Sequence, residues 1–201
     1  MTKPLKIVVT DASPLITLAA GESLQCLTMF GVPVIIPDMV YFEVTRDIAK
    51  LGASILVEWV RDNSDNVRIA PTDVFAEFQI LCEVNPKTKS KGRGEKAAAE
   101  ILQYELDNNK DFVAGLLYED SDVRSRAFGP SLHERVVVFS TGDLLLELES
   151  AGLIQSAKHI LDVAEQNERN VSKQREPVPN EQAREVVRDA LVKNRDHCAG
   201  L

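Results

Sequence analysis

Asp11, Glu43, Glu95 and Asp120 are acidic residues set into otherwise apolar patterns. Asp11 ends the run KIVVT and is followed at once by SPLITL, and Asp120 closes DFVAGLLY in the same manner. Glu43 shares a helical face with Met39, Val40, Val44 and Asp47, while Glu95 opens a face continued by Ala98, Ala99 and Leu102. Each position has an ordinary explanation when taken alone. Ser13 can serve as an N-cap with Pro14 in the first turn, Arg46 can pair with Glu43, a helix dipole favours Glu95, and Asp120 can cap a following helix. Those explanations leave the shared pattern unaccounted for: two acids end strands and two edge sheet-facing stripes, so all four can meet in one crevice. Carboxylates gathered there would repel one another and raise their pKa values unless a cation sat among them. All-oxygen ligands suit Mg²⁺ or Mn²⁺ rather than zinc, and His133, His159 and His197 show no metal-type pairing. One or two such ions with open positions suit hydrolysis of a phosphodiester.

The elements that must position these acids alternate. KIVVT (6–10), VPVII (32–36), VRIA (67–70), DFVAGLLY (111–118) and RVVVF (135–139) read as short β-branched strands. Between them lie helical patterns at SPLITLAA to about residue 29, 38–49, 53–62, 73–82 and 94–106, a short DVRSRAF helix, and 142–152. This order predicts an α/β fold with a central parallel sheet covered on both faces, and a site beyond the C-terminal ends of the strands. After residue 154 the alternation stops. The reading is a domain over 1–154 and a helical C-terminal extension over 155–201, whose last helix carries Val186, Val187, Ala190 and Leu191 as a narrow apolar stripe. That stripe fits either a partner surface or packing on its own domain.

The 201 residues carry a net charge of −8, and the segment 155–201 holds eight Lys/Arg against eight Asp/Glu, so the acidic excess lies in residues 1–154. Such a balance counts against broad non-specific nucleic-acid binding through a basic surface. One loop runs against it. EVNPKTKSKGRGEK (83–96) has Lys87, Lys89, Lys91, Arg93 and Lys96 against Glu83 and Glu95, a local net of +3 just before a candidate ligand. This loop can engage phosphates and guide a strand towards the acids, with Arg124 and Arg126 as the alternative path. Within it GRGEKA also fits a loose G-x-G-x-x-A dinucleotide pattern, without the preceding strand that such a motif needs. Three cysteines, Cys26, Cys82 and Cys198, with no C-x-x-C, argue against a disulfide framework or a structural zinc site. No apolar run approaches the ~20 residues that cross a bilayer, and MTKPLK has no signal-peptide core, so a soluble cytoplasmic protein without a membrane partner is expected.

At these residues the chain resembles the PIN-domain nucleases. The matching stretches are VVTDASPLI, IIPDMVYFEV with its V-x-x-E-V, GRGEKAAAEIL with a G-E-x-x-A core, and LLYEDSDVRSRA followed by FSTGDLLLELESAGLI, in order over roughly residues 5–154. The resemblance implies a three-layer PIN-like fold and a Mg²⁺- or Mn²⁺-dependent endoribonuclease. Asp11, Glu43, Glu95 and Asp120 are then the metal-binding quartet, Ser13, Ser140 and Thr141 hydroxyls near it, and Asp143 an outer-shell acid. The E-D-S-D run departs from the family pattern, so Asp122 could share or replace the role of Asp120. Members are often toxins of toxin–antitoxin pairs, which implies RNA as substrate and an antitoxin protein as partner; a homo-oligomer is also expected, with the last helix as the candidate dimer-forming element. A catalytically silent RNA-binding or protein-interaction module of the same fold stands as the other reading.

Overall fold

The computed structural model describes residues 3–119, 133–176 and 181–199, with side chains of the last helix described to residue 193. Five strands, β1 (Leu5–Thr10), β2 (Val34–Pro37), β3 (Val67–Ala70), β4 (Val113–Leu117) and β5 (Val136–Phe139), form one sheet in the order β3-β2-β1-β4-β5. Every pairing is parallel. The helices are α1 (Ala12–Ala20), α2 (Asp38–Thr45), α3 (Ala53–Asp62), α4 (Asp73–Val84), α5 (Arg93–Asn108), α6 (Thr141–Ser150), α7 (Ala157–Gln166), α8 (Ser172–Arg175) and α9 (Glu181–Ala199), with a 3₁₀ segment over Leu24–Phe30. The α/β class expected from the alternation, and the three-layer PIN-like architecture that the resemblance implies, are therefore present.

The layers follow from strand alternation. Ile7 and Val9 of β1 point with Ala114 and Leu116 of β4 towards Ala98, Ile101, Leu102 and Leu106 of α5. Val8 points the other way, into a larger cluster with Leu15 and Leu18 of α1 and Leu144, Leu145 and Leu148 of α6. Leu5 joins Val8 despite its odd spacing along the strand, because the register shifts between Leu5 and Ile7 and a bulge turns the chain over. Because β2 lies on one side of β1 and β4 on the other, the sheet reverses its winding there, and the crevice opens beyond the ends of β1 and β4. The two ends are in register: Thr10 faces Leu117, and the Asp11 amide donates to the Leu117 carbonyl at 3.2 Å.

The core continues past residue 154. Ala157, Leu161, Ala164 and Val171 share the cluster of α1 and α6, as do Ala183, Val186, Val187, Ala190 and Leu191, so the stripe of α9 is covered by the protein's own domain. The docking of α9 includes a buried acid. Glu147 of α6 is 1% exposed and accepts from Arg184 Nε at 2.7 Å and from Arg188 Nε at 3.0 Å. A buried carboxylate is stable only while such donors answer it. Arg184→Ala leaves one of the two, and urea unfolding should show a loss of about 1.5–3 kcal/mol, the range for a hydrogen bond to a charged group. Glu147→Gln should cost less, because the arginines reach solvent and can rehydrate; the reverse ranking would mean that the pair is not what holds α9.

Three sequence expectations are corrected in detail. The N-cap of α1 is Asp11, with Ser13 inside the helix. Helix α2 ends at Thr45, not 49, since Arg46, Asp47, Ile48 and Ala49 are all exposed and offer no apolar face to hold a further turn. In α5 the buried positions are Ala97 and Ala98, whereas Ala99 faces solvent. The expected DVRSRAF helix lies outside the described residues.

Candidate functional site

Asp11 is brought to the crevice by the end of β1, and its side chain is 9% exposed. Glu43 arrives from the last turns of α2 and Glu95 from the first turn of α5, both half-buried. The junction between them is Gly94. A Cβ built there would lie 2.9 Å from Glu43 Oε2 and 3.4 Å from Asp11 Oδ1, so the two carboxylates meet in the space that the missing side chain leaves. Gly92 does different work in the same GRGE segment: its φ of +75° starts α5 from a left-handed turn that favours glycine. A loop, not a strand, precedes the two glycines, so the dinucleotide reading of GRGEKA has no structural support.

Electrostatics ties the three acids together. Burial pushes the Asp11 carboxyl up to about 7; the backbone amides of Ala12 and Ser13 pull it part of the way back, and the charges of Glu95 and Glu43 add to the rise. Glu43 is raised as well, chiefly by burial, with a hydrogen bond from Ser90 opposing and Glu95 adding to the shift. Arg46 only partly offsets it, and its guanidinium stands 6.0 Å over the Phe42 ring. The charges of Asp11 and Glu43 are disfavoured by burial and by the neighbouring Glu95, and a divalent cation would relieve both, so the hard oxygen donors of this set suit such an ion. Among the described residues no group of three His, Cys, Asp or Glu side chains stands close enough together to hold a metal ion. Asp120 and Asp122, the remaining acids of the expected set, lie outside the described residues, as do Arg124 and Arg126.

The hydroxyl residues are placed as follows. Ser140 caps α6 and exchanges hydrogen bonds with Asp143 in a capping box: Asp143 N–H donates to Ser140 Oγ at 3.1 Å and Ser140 N–H to Asp143 Oδ2 at 3.0 Å. Thr141 Oγ1 donates to Glu119 Oε1 at 2.5 Å. Ser13 presents its carbonyl to Arg169 Nη2 at 3.1 Å. Glu119 escapes a reading of the sequence because the run E-D-S-D offers two aspartates beside it. Its own signal is its position immediately after the buried Tyr118 at the end of β4. Of the basic loop, Lys87, Lys89 and Lys91 are exposed and lie on the chain either side of Ser90, which bonds Glu43. Arg93 is engaged elsewhere, 5.4 Å over the Phe78 ring and 3.5 Å from Glu77.

Among the described residues no helix is long and apolar enough to cross a membrane. No curated protein and no solved structure shows significant similarity to the chain. A family model described as a PIN domain matches residues 7–176, a span that includes all of the acids above and runs through α7 and α8. PIN domains have a nuclease-type fold, are generally nucleases that bind nucleic acid, and typically use divalent metal ions. With that match over most of its length, and with a parallel 3-2-1-4-5 sheet carrying acids at its C-terminal edge, the chain belongs to the PIN-domain family.

Proposed function

We propose that the protein is a Mg²⁺- or Mn²⁺-dependent endoribonuclease. The observation that carries this is the meeting of Asp11 and Glu43 across Gly94, with Glu95 electrostatically coupled to both. Asp11, Glu43 and Glu95 would hold the ion, joined by Asp120 or Asp122 from the segment that follows β4. A divalent ion held there supplies the Lewis acidity that activates a water and stabilises charge on the phosphate oxygens. The chain's own contribution is placement. The end of β1 fixes Asp11, the short α2 delivers Glu43, and burial keeps bulk water from screening Asp11. Lys87, Lys89 and Lys91 stand outside the crevice, where they can draw in a phosphate backbone. A single strand or loop fits best, since its exposed backbone is the easiest to bring past the acids. A role as the toxin of a toxin–antitoxin pair, and assembly as a homo-oligomer, belong to this same proposal; neighbouring genes and light scattering decide them.

The test is cleavage of a mixed pool of single-stranded and looped RNA by the wild type and by Glu95→Gln, with Mn²⁺, with Mg²⁺ and with chelator. Cutting should require both the metal and Glu95. Equal cutting by the two proteins, or cutting in chelator, would sink the assignment, and RNA binding without any cutting would favour the silent module. The loop gives a separate expectation. Lys87→Ser, Lys89→Ser and Lys91→Ser together should weaken RNA binding alike for all sequences, and should lower the log-log salt slope by roughly 0.7 for each phosphate that is no longer neutralised. An unchanged slope would move the RNA path away from this loop.

A further inference from the structure

Arg169 lies in the turn after α7, remote in sequence from every acid of the crevice, yet it reaches the ends of β1 and β4. Its Nε donates to Thr17 Oγ1 at 2.9 Å, and its Nη2 donates to the Ser13 carbonyl at 3.1 Å and to Glu119 Oε2 at 3.1 Å. Glu119 is 8% exposed and also accepts from Thr17 Oγ1 at 3.0 Å and Thr141 Oγ1 at 2.5 Å. Its two oxygens are thus answered by three donors from α1, α6 and the α7–α8 turn, so Glu119 is held within the protein and is not one of the acids awaiting a cation. Five residues after Arg169, Gln174 is buried and its Oε1 accepts from the Gly142 amide at 3.1 Å. Its backbone carbonyl lies closer to where a Cβ at 142 would stand than packed atoms allow, so only glycine admits this approach. Ser13, Glu119, Arg169 and Gln174 together line an open polar cleft of about 250 Å³.

The segment 169–174 therefore joins three strand ends: α1 directly after β1, Glu119 after β4, and the first turn of α6 after β5. Asp11 is the N-cap of the same helix α1 whose first turns Arg169 grips through Ser13 and Thr17. We propose that this segment is a clasp that sets the geometry of the metal site, with Arg169 as its positioning residue, acting on Asp11 through α1. The inference rests on the metal-dependent reading above. A planar guanidinium with fixed donors suits this task better than an ammonium, because it satisfies a carbonyl, a hydroxyl and a carboxylate at once. The PIN-domain match extends to residue 176 and so includes the clasp.

The experiment is a Mn²⁺ titration of the full chain by electron paramagnetic resonance, at a temperature where circular dichroism shows each variant folded. Arg169→Gln should weaken Mn²⁺ binding by about 10–100-fold, the usual effect of removing a partner that orients a ligand. Arg169→Lys should recover part of that loss, and Thr17→Val, which deletes one link on either side of the clasp at constant volume, should reproduce part of it. Adding Glu119→Gln to Arg169→Gln separates geometry from charge: the affinity should stay low. An unchanged affinity in Arg169→Gln alongside a lowered melting temperature would overturn the clasp and leave Arg169 a purely structural residue. Full recovery in the double variant would overturn it too, since the effect would then be the stray charge of Glu119. If Arg169→Gln fails to fold, Thr17→Val and Arg169→Lys decide by the same criterion. A wild type that binds no Mn²⁺ overturns the metal reading itself, an outcome distinct from loss of the clasp alone.

Discussion

Asp11→Asn should abolish metal-dependent RNA cleavage and, without metal, make the protein more stable than the wild type at pH 8. The second half follows from the Asp11 carboxyl, which burial and the neighbouring Glu95 and Glu43 raise from 3.8 to about 7. Between those two values the folded protein binds more protons than the unfolded chain, so stability falls as pH rises through the window and the full penalty is present above about 7. Below about pH 4 the carboxyl is neutral in both states and the penalty vanishes. Its ceiling is about 4 kcal/mol, the rise from 3.8 to about 7 taken at about 1.36 kcal/mol for each tenfold change in proton affinity. Asparagine keeps the shape without the charge, so the two proteins should melt alike near pH 4 and diverge in favour of the variant by pH 8. Mn²⁺ should reverse the order, because a cation that binds only the folded wild type stabilises it by mass action. Binding should also release a proton near neutral pH, visible as a binding enthalpy that depends on the buffer. For cleavage, loss of a ligand should exceed the 10–100-fold typical of outer partners. A variant that is equally active, or less stable than the wild type at pH 8 without metal, would show that Asp11 is an ordinary cap.

Much of the frame that places Asp11 could be read from the chain, and the reason is local. VRIA and ASILVEWVRD form β3 and α3 at the residues expected, because β-branched alternation and a helical apolar stripe are both short-range signals. The end of β1 at Asp11 is equally legible, since a charge cannot continue a strand buried on both faces. What local pattern could not supply is which distant groups answer one another. The V-x-x-E-V segment puts Glu43 on a stripe, but only the packing of α2 on α5 brings it against Gly94. Arg169 and Gln174 carry no signature at all; their partners lie 152 and 32 residues away and are found only through the fold. The last helix shows the same limit. Val186, Val187, Ala190 and Leu191 make a visible stripe, while the reason it is anchored, Glu147 answered by Arg184 and Arg188, depends on a charge buried in another helix.

Gly94→Ala places the smallest side chain at the point where the crevice needs none. The new methyl would stand 2.9 Å from Glu43 Oε2 and 3.4 Å from both Asp11 Oδ1 and Val40 Cγ2. The closest of these atoms is the tip of a flexible side chain, so the clash is relieved by turning Glu43 aside and not by moving backbone. Fold stability should therefore hold or improve, because alanine in a helix is favoured over glycine by up to about 1 kcal/mol, and by less in the first turn where residue 94 sits. Glu43 displaced from Asp11 can no longer share a cation with it, and Mn²⁺ affinity should fall by at least the 10–100-fold seen when a ligand is misaligned. RNA cleavage should fall with it, while RNA binding through Lys87, Lys89 and Lys91 survives, since those side chains project from the exposed loop. Thermal melting, a Mn²⁺ titration and a cleavage assay on one preparation separate these effects. Wild-type cleavage with an unchanged Mn²⁺ requirement would mean that the reaction does not use the space between Asp11 and Glu43, and the catalytic centre would have to be sought elsewhere along the C-terminal edge of the sheet.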